Sequence, residues 1–566
     1  MSAATRKILI LGGYGVFGGR LAQLLADEPR VTLIVAGRSL EKARAFCAAL
    51  PAGAPRIALA FDRDGDVGAQ LASIKPDLVV DASGPFQAYS GDIYKLVRAA
   101  IALGADYMDL ADSAEFVAGI GAFDAEARAR GVYVLAGVSS FPVLTAAVVR
   151  RLAGGSTRVA AIRAGLAPSP FARVGPNVVR AVASYAGQKV ALTRGGADAQ
   201  AYGLQAYGLT ETVRRAVRPP GMLPLESRLF SLVDVPDLRA LPPLWPGLSS
   251  IWIGAAPAPE ILHRALIALA WLARLRLLPN LAPLAPLFHA VLGKLRWGAH
   301  RGGMFVEIEG TDEGGRALRR SWHMLAEGDD GPLIPSMAVA AIVRNELGGR
   351  RPAAGARAAT GELELADYDA VFRPFAIRHA IRDDSALATA PLYQRMLASA
   401  WDDLPASLRA MHRVDAAQVA RGEADIERGP GLLAGLVAAL FGLPRAARRA
   451  PTSVRFEARD GVETWTRNFA GRIMRSRQWQ GVGRWDGLLC ESFGPVTFGL
   501  AALAGDGRLR LVLRRWTFLG LPLPIGLAPL GHAIESEEDG RFRFDVAIGA
   551  PLIGPIVRYR GWLALE

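Results

Sequence analysis

The 566-residue sequence predicts an α/β architecture in three parts: a doubly wound parallel sheet over residues 1–150, a second mixed α/β domain over 151–385, and a C-terminal antiparallel β-rich, barrel-like domain over 386–566. Three observations carry this. Short apolar runs alternate with alanine-rich helical stretches up to about residue 150, the pattern of a parallel sheet covered on both faces. The chain then turns to β-rich stretches mixed with long helices. Beyond Pro451, short strands follow one another, joined by Asp-Gly pairs at 460–461, 506–507 and 539–540, which imply an antiparallel sheet that curls or closes.

The first strand, Lys7 to Leu11, runs directly into Gly12-Gly13-Tyr14-Gly15-Val16-Phe17-Gly18. An apolar run ending in a glycine cluster reads as a strand turning sharply into a helix, here about Val16 to Asp27. In a dinucleotide-binding unit of the Rossmann type, Gly13 permits the turn, Gly15 lets a pyrophosphate approach the backbone, and Gly18 lets helix and strand pack closely. The helix then aims its first amides at the phosphates. A second strand, Val31 to Ala36, arrives at the βαβ spacing and ends in Gly37-Arg38-Ser39. An NAD site usually has a carboxylate there for the ribose hydroxyls. Its absence, and the planar fork of Arg38, predict NADP(H) over NAD(H).

Further strands are expected at Arg56 to Phe61, Asp77 to Asp81, Asp106 to Leu110 and Val132 to Ala136. Ligands gather at the carboxyl ends of such strands. Those ends carry Asp62, Asp81 to Phe86, Asp109 to Asp112, and Gly137 to Ser140. Tyr89, Tyr107, Asp109, Asp112 and Ser139 all fall near them, and each is a candidate to donate a proton opposite hydride delivery.

These residues resemble a family. The glycine turn, the Ala36-Gly37-Arg38 strand end, Ser83-Gly84-Pro85-Phe86 followed by Tyr89, and Gly104-Ala105-Asp106-Tyr107-Met108-Asp109 together look like the NADP-binding domain of saccharopine-dehydrogenase-like oxidoreductases. The resemblance implies that Ser83, Gly84, Pro85 and Phe86 pass close to the nicotinamide half of the cofactor, and that the second domain covers the cleft and supplies the substrate pocket. Ala99-Ala100 stands where family members often carry a cysteine, and Ala111-Asp112 where they carry Gly-Glu. These departures weigh against an amino-acid substrate.

In the middle third, strands are expected at Arg158 to Leu166, Ser227 to Val233, Ser249 to Gly254, Met304 to Glu309 and Leu318 to Leu325, with a helix at Pro332 to Glu346. The stretch Glu260 to Leu295 is markedly apolar but interrupted by arginines and prolines, so it reads as two helices broken near Pro279 and too short to span a bilayer. They are either core helices or a membrane-surface or pocket-lining hairpin that admits an acyl or isoprenoid chain. Gly348 to Gly361, rich in glycine and proline, suggests where this domain gives way. The last third opens with helical Leu392 to Trp401, Leu404 to His412 and Leu432 to Leu443, followed by eight expected strands between Ser453 and Ala564. Its Leu404 to His412 opening and its Pro551 to Trp562 ending resemble a bacterial domain family of unknown function fused behind saccharopine-dehydrogenase-like modules. The apolar Phe518 to Pro524 loop would border a barrel mouth able to hold a lipid, with a packed interior as the default reading.

Charge excludes some partners. The net charge is +13, yet residues 1–150 hold 15 basic and 15 acidic groups, and only six of the 66 basic residues are lysines. No basic run interleaves with aromatics, which argues against nucleic acid; an acidic small molecule or an anionic membrane surface fits better, and a solvated, arginine-biased surface fits equally. Two distant cysteines argue for a reducing, cytoplasmic setting and against zinc or disulfide frameworks; the start of the chain leaves no room for a signal peptide. No metal-binding, P-loop or Gly-x-Ser-x-Gly motif appears, so no metal site is expected. The first histidine is His263, so a histidine acid or base would have to come from the later domains; His300 and His323 are the candidates, and a structural role is the plainer reading of each. Tyr185 and Lys189 have the Tyr-x-x-x-Lys spacing of short-chain dehydrogenases, but the glycine pattern does not match, and a helix-surface pair is the plainer reading. The sequence thus predicts an NADP(H)-dependent oxidoreductase acting on an apolar or lipid-like small molecule. Its rival is a non-catalytic NADP(H)-binding protein whose C-terminal module binds a lipid or partner. Membrane contact through 260–295 and a homodimer stay open.

Overall fold

The computed structural model describes residues 5–154, 157–172, 175–195, 197–198, 206–278 and 281–566. Met1 to Ala4, at the start where no signal segment is expected, and Pro279, the expected helix break, lie outside the described residues. The chain divides into two compact units, one made of 1–213, 229–318 and 325–378, the other of 214–228, 319–324 and 379–566.

The first unit is built on a parallel sheet. Its strands are β1 (Arg6–Leu11), β2 (Val31–Gly37), β3 (Arg56–Ala60), β4 (Leu78–Asp81), β5 (Asp106–Asp109) and β6 (Tyr133–Ala136). They lie in the order β6-β5-β4-β1-β2-β3. Strand order reverses between β4 and β1, so the crevice outside their carboxyl ends is the natural ligand site. Ile8, Leu9 and Ile10 are fully buried, as expected for a central strand covered on both faces by helices. The helices are α1 (Val16–Leu24), α2 (Leu40–Ala49), α3 (Val67–Ile74), α4 (Lys95–Leu103), α5 (Ala114–Gly119), α6 (Asp124–Arg130) and α7 (Thr145–Ala153).

A seventh strand, Gly355–Ala358, joins this sheet beside β6, with Gly355 opposite Tyr133. It lies inside the glycine- and proline-rich stretch where the sequence suggests the domain gives way. Four small or charged residues, Gly-Ala-Arg-Ala, carry no periodicity to announce a strand. The helix before it, Ile334–Leu347, holds α1 in place: Ser336 Oγ donates to the Phe17 carbonyl at 2.9 Å and Arg344 donates to the Leu24 carbonyl at 2.8 Å.

A second, mixed sheet of nine strands contains β7 (Arg158–Ala167), which pairs parallel with Ser250–Ala255 and antiparallel with Arg301–Thr311. After β7 comes α8 (Pro176–Tyr185), with proline in its first turn, where the missing N–H costs nothing. The apolar stretch folds as two helices, Glu260–Arg274 and Ala285–Lys294. They are not simple core helices. His263, Ala270 and Ala273 face inward, whereas Ile261, Leu275, Leu277 and Leu287 are exposed. Among the described residues, no helix is long and apolar enough to cross a membrane.

In the second unit ten antiparallel strands close into a barrel. Their order around the wall is Val496–Gly505, Leu489–Phe493, Arg472–Gln480, Val462–Phe469, Ala447–Arg459, Ala417–Arg428, Gly554–Leu565, Arg541–Ala550, Leu530–Glu538 and Arg508–Phe518. The last pairs back with the first and completes the closure. Asp460, Asp506 and Asp539 take positive φ at the expected Asp-Gly turns. Ala417–Arg428 and Val496–Gly505 are absent from the sequence expectation. One is dominated by outward-facing charge and the other by alanine and glycine, so neither shows clean alternation. Inside the wall, the Glu491 carboxylate accepts from Ser476 Oγ at 2.7 Å, Gln478 Nε2 at 2.9 Å and Arg467 at 3.1 Å; Tyr393 donates to Gln478 Oε1 at 3.0 Å.

Candidate functional site

The glycine cluster behaves as its spacing requires, with one shift. Gly12, rather than Gly13, takes the left-handed conformation, at φ +70°, and a Cβ there would lie 2.7 Å from the Ala82 carbonyl oxygen. Gly18 lets α1 cross the turn: a Cβ would sit 2.4 Å from the Gly12 carbonyl oxygen. Helix α1 ends at Leu24, earlier than expected. Its N-terminus has no side-chain cap and no acidic residue in the first turn. Its first amides therefore keep their hydrogen-bonding capacity, and its positive dipole end is not neutralised.

At the end of β2, the Tyr14 ring lies against Gly37, where a Cβ would come within 2.6 Å of Tyr14 Cε1, and the Ser39 amide donates to Tyr14 Oη at 3.0 Å. Arg38 is exposed and lines the cleft, and no carboxylate lies within ion-pair distance of it among the described residues. Ser39 Oγ is occupied as the N-cap of α2, accepting from the Lys42 amide at 3.3 Å.

The cleft these elements open onto has a volume of ≈ 780 Å³, within the range of small-molecule sites. It takes in Gly12, Tyr14, Gly15, Val16, Phe17, Gly37 and Arg38 along the β1 and β2 ends, then Asp62 at the end of β3. Ser83, Gly84, Pro85 and Phe86 follow along the far wall, with Tyr89, Asp112 and Ser139. Gly13 and Gly18 sit behind the turn and support it. Tyr107 and Asp109 are 1% and 0% exposed and do not line the cleft, because β5 buries both of its faces. They are too deep to touch a substrate.

Asp81, fully buried at the end of β4, organises the far wall. It accepts from the Ser83 amide and hydroxyl, from Tyr89 Oη at 3.3 Å and from Arg63 Nε at 3.3 Å, while the Arg63 guanidinium lies 3.3 Å over the Tyr89 ring. Burial, then the Asp81 charge, raise the Tyr89 hydroxyl well above its ordinary range, so it stays protonated and can serve as a donor.

Asp109 staples the sheet. Its Oδ1 accepts from the Gly137 amide at 2.7 Å and the Ala111 amide at 3.0 Å, and burial pushes the carboxyl up to about 7. Because the folded state holds this proton longer than the unfolded chain, the associated stability is present below the ordinary carboxylate range and is lost as pH rises toward 7. Between pH 5 and 8 the loss is on the order of 2–3 kcal/mol. Asp109→Asn keeps the Oδ1 acceptor and cannot ionise, so denaturant unfolding of the variant should lack this part of the pH dependence. Parallel pH profiles for the two proteins would refute the assignment.

Several cleft residues are invisible to sequence reasoning. Asn177, on α8, donates to the Gly84 carbonyl at 2.7 Å, and Gly175 abuts Val16, bringing α8 over the glycine turn. Arg63, Arg180, Tyr185 and Asp234 also line the cleft. Burial, then the charges of Asp234 and Asp112, raise the Tyr185 hydroxyl, and burial raises both carboxyls. Tyr185 and Lys189 are not a helix-surface pair: α8 ends at Tyr185 and Lys189 starts a short strand. Only the Tyr-x-x-x-Lys spacing pointed to Tyr185, and for a different reason. No histidine lines the cleft among the described residues. His263 is buried against Ser231 Oγ at 2.7 Å, and burial lowers it to about 4; His300 pairs with Asp329 and stacks on Phe171.

Residues 8–135 match the saccharopine dehydrogenase NADP binding domain, and residues 404–563 match a domain of unknown function, DUF4166. Among solved structures, apo saccharopine dehydrogenase (L-Glu forming) from Saccharomyces cerevisiae is 14% identical, covering 66% of this chain and 99% of its own, with a TM-score of 0.44. Biliverdin reductase from Synechocystis sp. PCC 6803, solved with biliverdin and NADP+, is 12% identical over 65% of this chain and 96% of its own, with a TM-score of 0.29. The WlbA dehydrogenase from Thermus thermophilus, solved with NAD and α-ketoglutarate, is 12% identical over 62% of this chain and 90% of its own, with a TM-score of 0.27. No curated protein matches the chain. The chain therefore joins an NAD(P)-binding Rossmann domain of the saccharopine dehydrogenase type, at residues 8–135, to a C-terminal DUF4166 domain at residues 404–563.

Proposed function

We propose that the protein is an NADP(H)-dependent oxidoreductase acting on an apolar, lipid-like small molecule in the cleft of the first unit. The observation that carries this reading is Arg38: a cleft-lining guanidinium without a carboxylate partner among the described residues, where an NAD site would place a carboxylate. The residues present fit a dinucleotide. Gly12 and Gly15 keep the turn free of side chains, the start of α1 is uncapped, and Tyr14 and Arg38 flank the β2 end. Bound there, the nicotinamide supplies the hydride.

The chain contributes position and protons. Tyr89, held by Ser83 and Asp81, keeps its proton at the wall carrying Ser83 to Phe86. Tyr185, between Asp112 and Asp234 electrostatically, is a second donor within the same cleft. Phe17, Phe61, Phe86, Phe141, Leu166 and Val233 give the cavity its apolar walls, which favours a substrate with little charge.

The test is twofold. NADPH should bind more tightly than NADH, and a panel of apolar carbonyl, enoyl and imine compounds should contain one whose addition consumes NADPH by stereospecific hydride transfer. Tyr89→Phe should then lower kcat about 10²–10⁴-fold with little change in NADPH affinity. Tight NADPH binding without turnover of any compound would favour the non-catalytic reading instead.

A further inference from the structure

The two ends of the barrel differ in chemistry. At one end lie the helix Leu432–Leu440, the turns at 470–471 and 494–495, the loop 519–529 and the turn 551–553; strand registers such as Val496 opposite Phe518 and Leu530 opposite Gly549 bring them together. That helix has no polar side chain. Ala434 and Ala438 pack onto the barrel, while Leu432, Leu433, Leu436 and Leu440 are 61–95% exposed. Leu519, Leu521, Ile525 and Leu527 are exposed on the loop, Leu530 is exposed at the start of the strand that follows, and Leu552 is fully exposed on its turn. The opposite end exposes Val482 and Leu565 alone among the barrel's large apolar side chains. So contiguous an apolar rim is unusual for a solvent-facing surface.

Its net charge is positive. That sign is set by excess rather than by exclusion: no acidic residue occurs in 429–456, 493–505 or 517–534, and Glu427, at the end of Ala417–Arg428, is paired with Arg560 at 3.5 Å, whereas Arg445, Arg448 and Arg472 are exposed there. Arg428 and Arg472 donate to the Pro444 and Gly442 carbonyls just past the helix, which brings two guanidiniums together. A second copy on the same face would set these arginines against their like. An anionic headgroup layer complements them, with the leucines reaching the acyl boundary.

The same end leads inward. The strand Arg508–Phe518 pairs with Val496–Gly505 along its length but with Leu530–Glu538 only over Arg508–Leu511. Past Leu511 the wall parts until Thr517 and Phe518 pair with Pro522 and Leu521, and in this gap Leu513 and Pro529 to Ala533 border a cavity of ≈ 200 Å³, room for on the order of seven methylene groups. Phe469, Phe493, Phe544, Val546 and Ile548 belong both to this cavity and to the apolar cluster beneath the helix. The polar groups at the cavity are partnered, Arg467 with Glu491, Glu535 with the His412 ring and the His532 ring with Asp545, so the cavity asks for an uncharged chain.

We propose that this end of the barrel docks on an anionic phospholipid bilayer and takes the terminal part of one alkyl chain of a bilayer lipid into the cavity through the parted seam. The proposal does not depend on the oxidoreductase reading. It is tested with the full-length protein on phosphatidylcholine vesicles with and without about one-third phosphatidylglycerol, some of it carrying a diazirine in the acyl chain. The protein should float with the anionic vesicles only, salt should release it, and photolabel should fall on the barrel interior. Leu432→Asp combined with Leu436→Asp, both exposed, should reduce the bound fraction at least about tenfold. Val546→Trp, or Leu513→Phe from the seam side, should remove the interior label while flotation persists. Flotation that survives the paired aspartates, or is lost instead with Leu275→Ser and Leu277→Ser on the first unit, would overturn the docking surface. Label found only outside the barrel would overturn the cavity.

Discussion

Arg38→Ala is expected to weaken NADPH binding about 10- to 100-fold while leaving NADH binding within about twofold. The asymmetry follows from where the residue stands. β2 delivers it to the cleft edge next to Gly37, and no acidic side chain competes for its guanidinium among the described residues. A 2′-phosphate is the feature that separates the two cofactors, and a planar fork holds it by charge-assisted hydrogen bonds. Arg38→Asp should go further and favour NADH, since a carboxylate there can accept from ribose hydroxyls and repels a phosphate. Fluorescence titration of both reduced cofactors at low salt reads the result. Equal loss for the two would place Arg38 outside the phosphate's reach and remove the main support for NADP(H).

The largest stability effect is expected in the barrel. Glu491→Ala withdraws one acceptor from three donors at once, Ser476, Gln478 and Arg467, and leaves a guanidinium of 12% side-chain exposure without its counter-charge. The cost should be about 3–5 kcal/mol, lowering the midpoint of the barrel's unfolding by roughly 10 °C. Arg467 also lies over the Trp465 ring, 4.7 Å from its centroid, so unpairing it disturbs the aromatic packing of the same wall. Glu491→Gln, which keeps an acceptor, should cost less. Replacing both members together, Glu491→Leu with Arg467→Met, should recover much of the loss, because two apolar side chains need no partner. Calorimetry on the three variants orders them, and a single alanine no worse than the double replacement would contradict the argument.

The candidate site was legible in the sequence where its chemistry is local. An apolar run ending in glycines can only turn tightly, and each glycine required there is explained by backbone approaching within 3 Å. Arg38 was legible for the same reason, since the residue after β2 is set by one strand's register against its neighbour. The Ser83 to Phe86 segment and Tyr89 were read from the strand end they follow, and they do face the cleft. Asp109 and Tyr107 shared that logic yet proved to be buried, because sequence position near a strand end does not say which way a side chain turns.

What the sequence by itself determined is the class of each part: a parallel sheet opening at a glycine turn, and a run of strands joined by Asp-Gly corners. These follow from periodicity and from the few residues able to adopt positive φ, both properties of a short stretch of chain. Only the tertiary structure decided that Gly355–Ala358 completes the first sheet, that Tyr185, Asn177 and Asp234 reach the cleft, and that ten strands close with an apolar rim at one end. Each of these joins residues tens to hundreds of positions apart. Such contacts are selected by the burial of shared surface and the pairing of backbone edges, and neither leaves a periodic mark on the local sequence.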